Sequence, residues 1–362
     1  MNRLIIIGNG FDLAHGLKSS FKDFIANYFC NAVNHFFEGN TYSDILFELS
    51  FTNDFHPFEP RSKPTTSEDI FEILDKLNKN KKNINLKFNS LLLQNIYAKI
   101  KEVNWVDLEI EFFKILVATK NVYKNQNQFE AIKNVNEQLD FLKNKLVIYL
   151  SEEEKKYSNT FDKSELLKCF LEEINKEEIV TTYLRENKLP DNLYFLNFNY
   201  TRTFMDYFEL SNNQIRSKFN FIHGDLKEEY GNPIFGFGDE FDKRYLEFED
   251  ENNNQLFKHI KSFEYSQNKN YFNLIRFIDS GDYQIQVFGH SCGVSDRTML
   301  NEIFENTNCK SIKIFYHELN DKVNDFSEKT YDIAKHFKNK GVFRKKLIPF
   351  DLSRPMPQPK NK

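Results

Sequence analysis

The chain has 362 residues, 40% hydrophobic and 28% charged, a globular balance with length for two or three domain-sized units or for one domain carrying an insertion. Its 49 Lys and Arg against 53 Asp and Glu leave a net charge of −4, which argues against bulk nucleic-acid binding. No apolar run approaches a membrane span, the first residues do not read as a signal peptide, and Cys30, Cys169, Cys292 and Cys309 are too scattered for a zinc ribbon or a disulfide framework, so a cytoplasmic protein with free thiols is expected.

Arg3–Ile7 reads as a buried strand closed by Gly8-Asn9-Gly10. A helix from Ser20 to about Phe37 follows, with Phe21, Phe24, Ile25, Tyr28 and Phe29 on one stripe. Strand, glycine turn and helix are the opening of an α/β sheet. From residue 38 to 190 glycine is nearly absent and helical spacing dominates. Thr66-Ser67-Glu68-Asp69 resembles a capping box. Lys76–Asn85 reads as a solvated connection, and helices are expected over Leu86–Lys101, Val106–Thr119, Gln126–Glu153, Ser164–Glu173 and Glu177–Glu186. Strand signals return at Leu193–Phe198, Phe219–Ile222, Gln284–Phe288 and Ser311–Tyr316, and a helix at Asp296–Glu305 with Ser295 as its N-cap. Pro355–Lys362 reads as a frayed tail. The expected fold is therefore α/β and Rossmann-like, a mostly parallel sheet with a large helical insertion. Residues 1–37 and 191–350 form the sheet domain, 38–190 the insertion or cap, and 351–362 the tail.

Three returning strands run straight into polar residues: Asn199-Tyr200-Thr201, His223-Gly224-Asp225 and Gly289-His290-Ser291. In a parallel α/β sheet such positions lie at the carboxyl ends of strands, where ligands bind. Gly8 and Gly10 allow a tight turn toward an anion. A third fingerprint glycine is missing, since Leu13 stands at its position, and no acidic strand end follows about twenty residues on, which disfavours a hydride-transferring dehydrogenase. The spacing Gly10 to Gly16-Leu17-Lys18 does not fit a P-loop. Gly289-His290-Ser291-Cys292-Gly293 matches a nucleophile elbow formally, but the later histidines, His317 and His336, suit a hydrolase triad poorly. Asp107 and Glu109, beside the sole tryptophan Trp105, read either as an amphipathic helix start or, with Asp225 and Asp239, as ligands of a metal-dependent nuclease or phosphoesterase.

The ordered set Ile5–Leu13, Trp105–Glu109, Asn197–Thr201, Ile222–Gly224 and Phe288–Asp296 resembles the AbiH family of bacterial abortive-infection proteins, over about residues 1–310. That resemblance implies anti-phage defence. The same order is similar to the Sir2-like domains of prokaryotic defence proteins. By that likeness Asn199 and His223 would be catalytic, and Gly8, Asn9, Gly10, Phe11, Asp12, Gly289, His290, Ser291 and Asp296 would hold NAD, here a substrate. The acid of the family's Asn-x-Asp element is Thr201 here, and its zinc cysteines are missing, so protein deacylation and zinc are not expected. The expectation is NAD hydrolysis when triggered. A phage-derived or host activator and a homo-oligomer are candidate partners. The alternatives are the metal-dependent effector and a nucleotide-binding sensor without catalysis.

Overall fold

The computed structural model of the chain describes residues 1–52, 67–79, 84–99, 105–123, 126–157, 160–320 and 323–359. Two compact units emerge. One comprises Met1–Leu17, Leu150–Asn252 and His259–Lys362; the other comprises Lys18–Tyr149 and Asn253–Lys258. Among the described residues no helix is long and apolar enough to cross a membrane.

The first unit is built on six strands: β1 (Asn2–Ile7), β2 (Leu193–Asn197), β3 (Ser217–Phe221), β4 (Tyr283–Phe288), β5 (Cys309–Tyr316) and β6 (Arg354–Pro355). All pair in parallel, in the order β3-β2-β1-β4-β5-β6, the order of doubly wound dinucleotide-binding sheets. Register is fixed by apolar runs buried on both faces. Leu4 and Ile6 of β1 join Leu196, Ile285, Val287, Ile312 and Ile314 in one core with Leu274, Met299, Leu300, Ile303 and Ile333 from three helices. Ile5 and Ile7 point the other way, onto Phe195, Phe288 and Phe315, with Phe170 and Tyr207 from helices above that face. Successive β1 side chains thus feed opposite cores, as the two-residue period of a strand requires.

The region expected to end in a helix over Glu177–Glu186 differs. Only Lys176–Glu178 forms a single 3₁₀ turn. Buried Glu178 is drawn to Lys313 Nζ (2.6 Å) and Gln284 Nε2 (2.8 Å), and Thr181 Oγ1 donates to the Lys310 carbonyl (3.0 Å), so these side-chain bonds replace a continuing helix. Arg3, wholly buried in β1, joins the same polar layer by donating to Phe170 O (2.9 Å) and Gln284 Oε1 (3.1 Å). Of the tail expected to be frayed, residues 355–359 have a described structure and residues 360–362 lie outside the described residues. Arg354–Pro355 adds a sixth strand, Met356 N donates to Tyr316 O (2.7 Å), and the Arg354 guanidinium pairs with Glu172 while lying over the Phe315 ring.

The second unit carries helices Phe21–Phe37, Ser67–Lys79, Leu91–Ala98, Trp105–Val122 and most of Gln126–Lys156. Ser20 caps the first, its Oγ accepting from Asp23 N (3.1 Å). Thr66 of the expected capping box lies outside the described residues. A three-stranded antiparallel sheet, not expected, joins Tyr42–Ser43, Phe47–Phe51 and Ile84–Phe88. Phe47 faces Phe88, Leu49 faces Leu86 and Phe51 faces Ile84, one apolar row at alternate residues. Phe29 and Phe36 of the first helix close against that row, with ring centroids 5.3 Å from Phe47 and 4.3 Å from Phe51. The helix expected from Leu86 therefore starts at Leu91, where Ser90 Oγ accepts from Leu93 N (3.3 Å).

Candidate functional site

β1 and β4 are neighbours at the centre of the sheet, and the strand order runs outward from them in both directions, a switch point where the loops after the strands leave a crevice. The loops Gly8–Gly10 and Gly289–Gly293 follow these two strands and touch. Gly10 N donates to Gly289 O (2.8 Å) and Gly8 N to Phe288 O (3.0 Å). Gly289 has φ +66°, and a Cβ there would stand 2.2 Å from Phe11 N. A Cβ on Gly8 would stand 2.5 Å from His290 Cα. Glycine at these positions is what lets the two backbones meet. A short helix, Asn9–Ala14, starts within the first loop. It buries Phe11 against His15, Phe170 and Tyr207 and carries Asp12 inward.

Asp12 is buried and accepts a hydrogen bond from Thr201 Oγ1 through Oδ2; Oδ1 makes none of good geometry, though Thr203 and Asn199 stand near. Burial pushes its pKa up to about 6 against the pull of these hydroxyl and amide groups. At the end of β2, Asn197 braces the next turn. Its Nδ2 donates to the carbonyls of Asn199 (2.9 Å) and Thr201 (3.1 Å), and its Oδ1 accepts from Asn199 N (3.2 Å). So held, Asn199 turns its Nδ2 onto Gly8 O (3.0 Å), which joins the β2 turn to the β1 loop. Thr201, where the acid of the Asn-x-Asp element was expected, is the residue that meets Asp12.

His223 follows β3. Gly224 turns the chain beyond it with φ +74°, where a Cβ would strike Asn232 O at 2.2 Å. The imidazole lies edge-on to Phe198 and parallel to Tyr265. Its Nε2 is 3.2 Å from Asp296 Oδ1 and 3.1 Å from the Tyr265 hydroxyl. Burial, then the nearby Lys261 ammonium, depresses the His223 pKa more than Asp296 raises it, so the ring is neutral at pH 7. Asp296 receives Lys261 Nζ at 2.8 Å on the same Oδ1. Burial works to raise its pKa, but Lys261 and His223 outweigh that and hold the carboxyl well below the usual range. Asp296 is thus committed inward. It makes no side-chain cap for the Arg297–Glu305 helix, and Ser295, expected as that cap, is buried, its hydroxyl without a hydrogen-bond partner among the described residues.

The β4 loop is held in place from behind. Lys329 Nζ donates to His290 O (3.0 Å), His336 Nε2 meets Cys292 O (2.7 Å), and Cys292 N donates to His290 Nδ1 (3.0 Å). Cys292 itself has φ +54°, a strained conformation for a residue with a side chain. Burial pushes its thiol up to about 12 and the His290 imidazole down to about 3, so the thiol is inert and the ring uncharged. The His290 ring packs on Phe198 at 4.1 Å, while Ser291 is exposed. A cavity of about 250 Å3 lies at the strand ends on the β5 and β6 side, walled by Gly10, Leu13, Gly289, Phe315, Lys329 and Met356 among others.

A model of the family described as bacteriophage abortive infection AbiH matches residues 4–318. The chain belongs to the AbiH family. No curated protein and no solved structure gives a significant match. The family description carries a role in phage abortive infection to this AbiH chain.

Of the residues singled out in the sequence, Gly8, Asn199 and Asp12 sit together at the β1 and β2 ends. His223, Asp296 and His290 share a second cluster, with Phe198 between His223 and His290. The four acids proposed as metal ligands do not form one. Asp225 is buried with Arg202 and accepts from Tyr230 N (2.8 Å), and Asp239 pairs with Arg297 at 3.4 Å. Asp107 lines a cavity of about 200 Å3 inside the second unit with Lys99, Glu111 and Lys114, and Glu109 is buried in that unit. Among the described residues no group of three His, Cys, Asp or Glu is arranged to hold a metal ion. The Trp105 side chain lies outside the described residues. Lys261 and Tyr265 are the residues of the site that sequence reasoning missed. Both are buried although Lys258, three residues before Lys261, is exposed, and no local pattern in the sequence separates the two lysines.

Proposed function

We propose that this AbiH protein acts in phage defence by hydrolysing NAD to nicotinamide and ADP-ribose once triggered. What carries the reading is one convergence: the β1 and β4 loops meet at the switch point of a 3-2-1-4-5-6 parallel sheet, with Asn199 and His223 on the adjoining strand ends. Gly8, Asn9, Gly10, Phe11, Gly289, His290 and Ser291 would form the walls against which the dinucleotide lies, the exposed Ser291 hydroxyl donating to a pyrophosphate oxygen. Asp12, flanked by Thr201, Thr203 and Asn199, would accept from a ribose hydroxyl.

Hydrolysis breaks the bond between ribose C1′ and the pyridinium nitrogen, whose electron pair leaves with neutral nicotinamide. Water forms the new C–O bond and gives up one proton. Asn199, whose amide N–H is engaged by Gly8 O, offers its Oδ1 to orient that water. His223, uncharged at neutral pH, takes the proton, and Asp296 3.2 Å away stabilises the imidazolium that forms. Asn199, His223 and Asp296 are each no more than 9% exposed, a closed arrangement that suits an enzyme silent in healthy cytoplasm until a phage-derived or host activator, or self-assembly, opens it. The test is to follow NAD and nicotinamide in cells carrying the gene before and after infection, and in purified protein given phage lysate. NAD should fall as nicotinamide rises. Cells that are protected while NAD holds constant end the proposal; degraded nucleic acid would then point to a nuclease, and NAD bound without turnover to a sensor.

A further inference from the structure

Lys261 is a buried lysine, 1% exposed, at the start of the short helix Lys261–Glu264. Desolvating an ammonium costs several kcal/mol unless a partner compensates. The partner is Asp296 Oδ1 at 2.8 Å, the same oxygen that faces His223 Nε2. The backbone delivers both sides of this contact to one segment. Lys261 N donates to Phe237 O (2.9 Å) and Phe237 N to His259 O (3.0 Å), while Thr298 N, in the helix after Asp296, donates to Gly238 O (2.9 Å). A Cβ on Gly238 would stand 2.6 Å from Ser295 O and 3.2 Å from Lys261 Cδ, so glycine there lets the lysine stem and the Asp296 turn close on the same strip of chain.

We propose that Lys261 is a positioning residue for His223: by occupying and neutralising the shared Asp296 oxygen, it keeps the imidazole in the uncharged form that a proton acceptor needs. The inference rests on the reading of His223 as the proton acceptor. The charge balance carries it. With Lys261 cationic and Asp296 anionic, a neutral His223 brings the trio to zero, whereas an imidazolium would leave a buried net positive charge. Without Lys261, the ion-pair partner described for the buried carboxylate is His223, and a proton taken up on the ring restores neutrality. An imidazolium cannot act as a base. The other groups that bear on this trio include Tyr265, whose hydroxyl is 3.1 Å from His223 Nε2, His290 from the β4 loop, whose carbonyl binds Lys329 of the Phe326–Lys335 helix, and, near Asp296, Cys292 and His336, both kept uncharged by burial. Burial keeps His290 uncharged and Lys329 pairs with Asp325 at 3.2 Å, so among the described residues Lys261 is the cation paired with the Asp296 oxygen.

The test is a histidine ¹⁵N spectrum of the full chain, with the His223 signals among the eight histidines assigned by their loss in His223→Gln. Wild type should show His223 as neutral imidazole from pH 7 to 8. Lys261→Met should move it to the imidazolium positions at pH 7, and Lys261→Arg should return it to neutral. An imidazolium in wild type, or a neutral ring in Lys261→Met across that range, overturns the proposal; where Lys261→Met does not fold, Lys261→Gln is read in its place with the same two outcomes. NAD turnover is a separate readout. Lys261→Met should lose it at pH 7 and recover it as the pH rises past the new His223 pKa. If wild type consumes no NAD, the function reading fails while the spectra still decide what Lys261 does.

Discussion

Replacing Asp12 with asparagine should make the protein more stable and less active at once. Burial lifts the Asp12 pKa from 3.8 to about 6 in the folded chain. Between those values the folded state binds more protons than the unfolded one, so stability falls as the pH rises through the window, and above pH 7 the ionised carboxylate costs its full amount. A shift of roughly two units corresponds to about 3 kcal/mol. Asparagine keeps the shape, accepts from Thr201 Oγ1 as Asp12 does, and never ionises. Asp12→Asn should therefore unfold later than wild type at pH 8, by roughly 6–12 °C in the transition of the first unit. The advantage should shrink as the pH is lowered and vanish below about pH 4, where both states of wild type are protonated. The same change replaces a charged acceptor for a ribose hydroxyl with a neutral one, so NAD turnover should drop roughly 10- to 100-fold. Paired melts of both proteins from pH 4 to 8, monitored by circular dichroism, are the assay. A wild type as stable as the variant at pH 8, or a difference that does not change with pH, would refute the assignment of Asp12 as a destabilising buried carboxylate.

His223→Gln should retain the fold, since glutamine still reaches Asp296, and lose NAD turnover by roughly 10²–10⁴-fold; turnover within tenfold of wild type removes His223 from the chemistry. Ser291→Ala should raise KM for NAD and leave kcat within a few-fold, because an exposed hydroxyl that only binds pyrophosphate contributes to binding; loss of all turnover would make Ser291 a nucleophile instead. Gly289→Ala forces a Cβ to 2.2 Å from Phe11 N at a φ of +66°, so the β1 and β4 loops must part, and the melting temperature should fall by several degrees together with activity; an unchanged melt would show that the loops do not depend on this contact.

The central strands could be read from the sequence because each is a short apolar run cut off by a residue no strand interior favours: Gly8, Asn199, His223 and Gly289. In a parallel sheet buried on both faces that is the whole strand signal, and it also marks the ligand end. The antiparallel sheet of the second unit was written just as plainly, in Phe47, Leu49 and Phe51 opposite Ile84, Leu86 and Phe88. It was missed because Leu86 runs on toward Leu91, Leu92 and Leu93, so a strand and a helix separated only by Asn89 and Ser90 merge into one apparent helical stripe. The ordered tail was missed for a different reason. A two-residue strand such as Arg354–Pro355 has no period to detect, and its place is set by Glu172 and Phe315, which are remote in sequence.

The site divides along the same line. Residues that must be of one type for local reasons were legible: glycine where two backbones meet at Gly8 and Gly289, and asparagine at the β2 turn, where the Asn197 side chain braces Asn199 and Thr201 of its own loop with three hydrogen bonds. Lys261 was not, because nothing near it in sequence distinguishes a lysine that will be buried from one that will be solvated. Its meaning is fixed 35 residues later, by Asp296. A carboxylate at the first turn of a helix is ordinarily read as a cap or a dipole partner, and Asp296 offers that reading freely from sequence. Only when the Phe237–Gly238 segment docks against both residues does the carboxylate turn inward, and the helix is then left without a side-chain cap. A helix start that gives up the roughly 1 kcal/mol of a cap to bind a buried lysine and a histidine is locally worse than it need be. That local sacrifice, more than the presence of a histidine at a strand end, is the reason to place chemistry at His223.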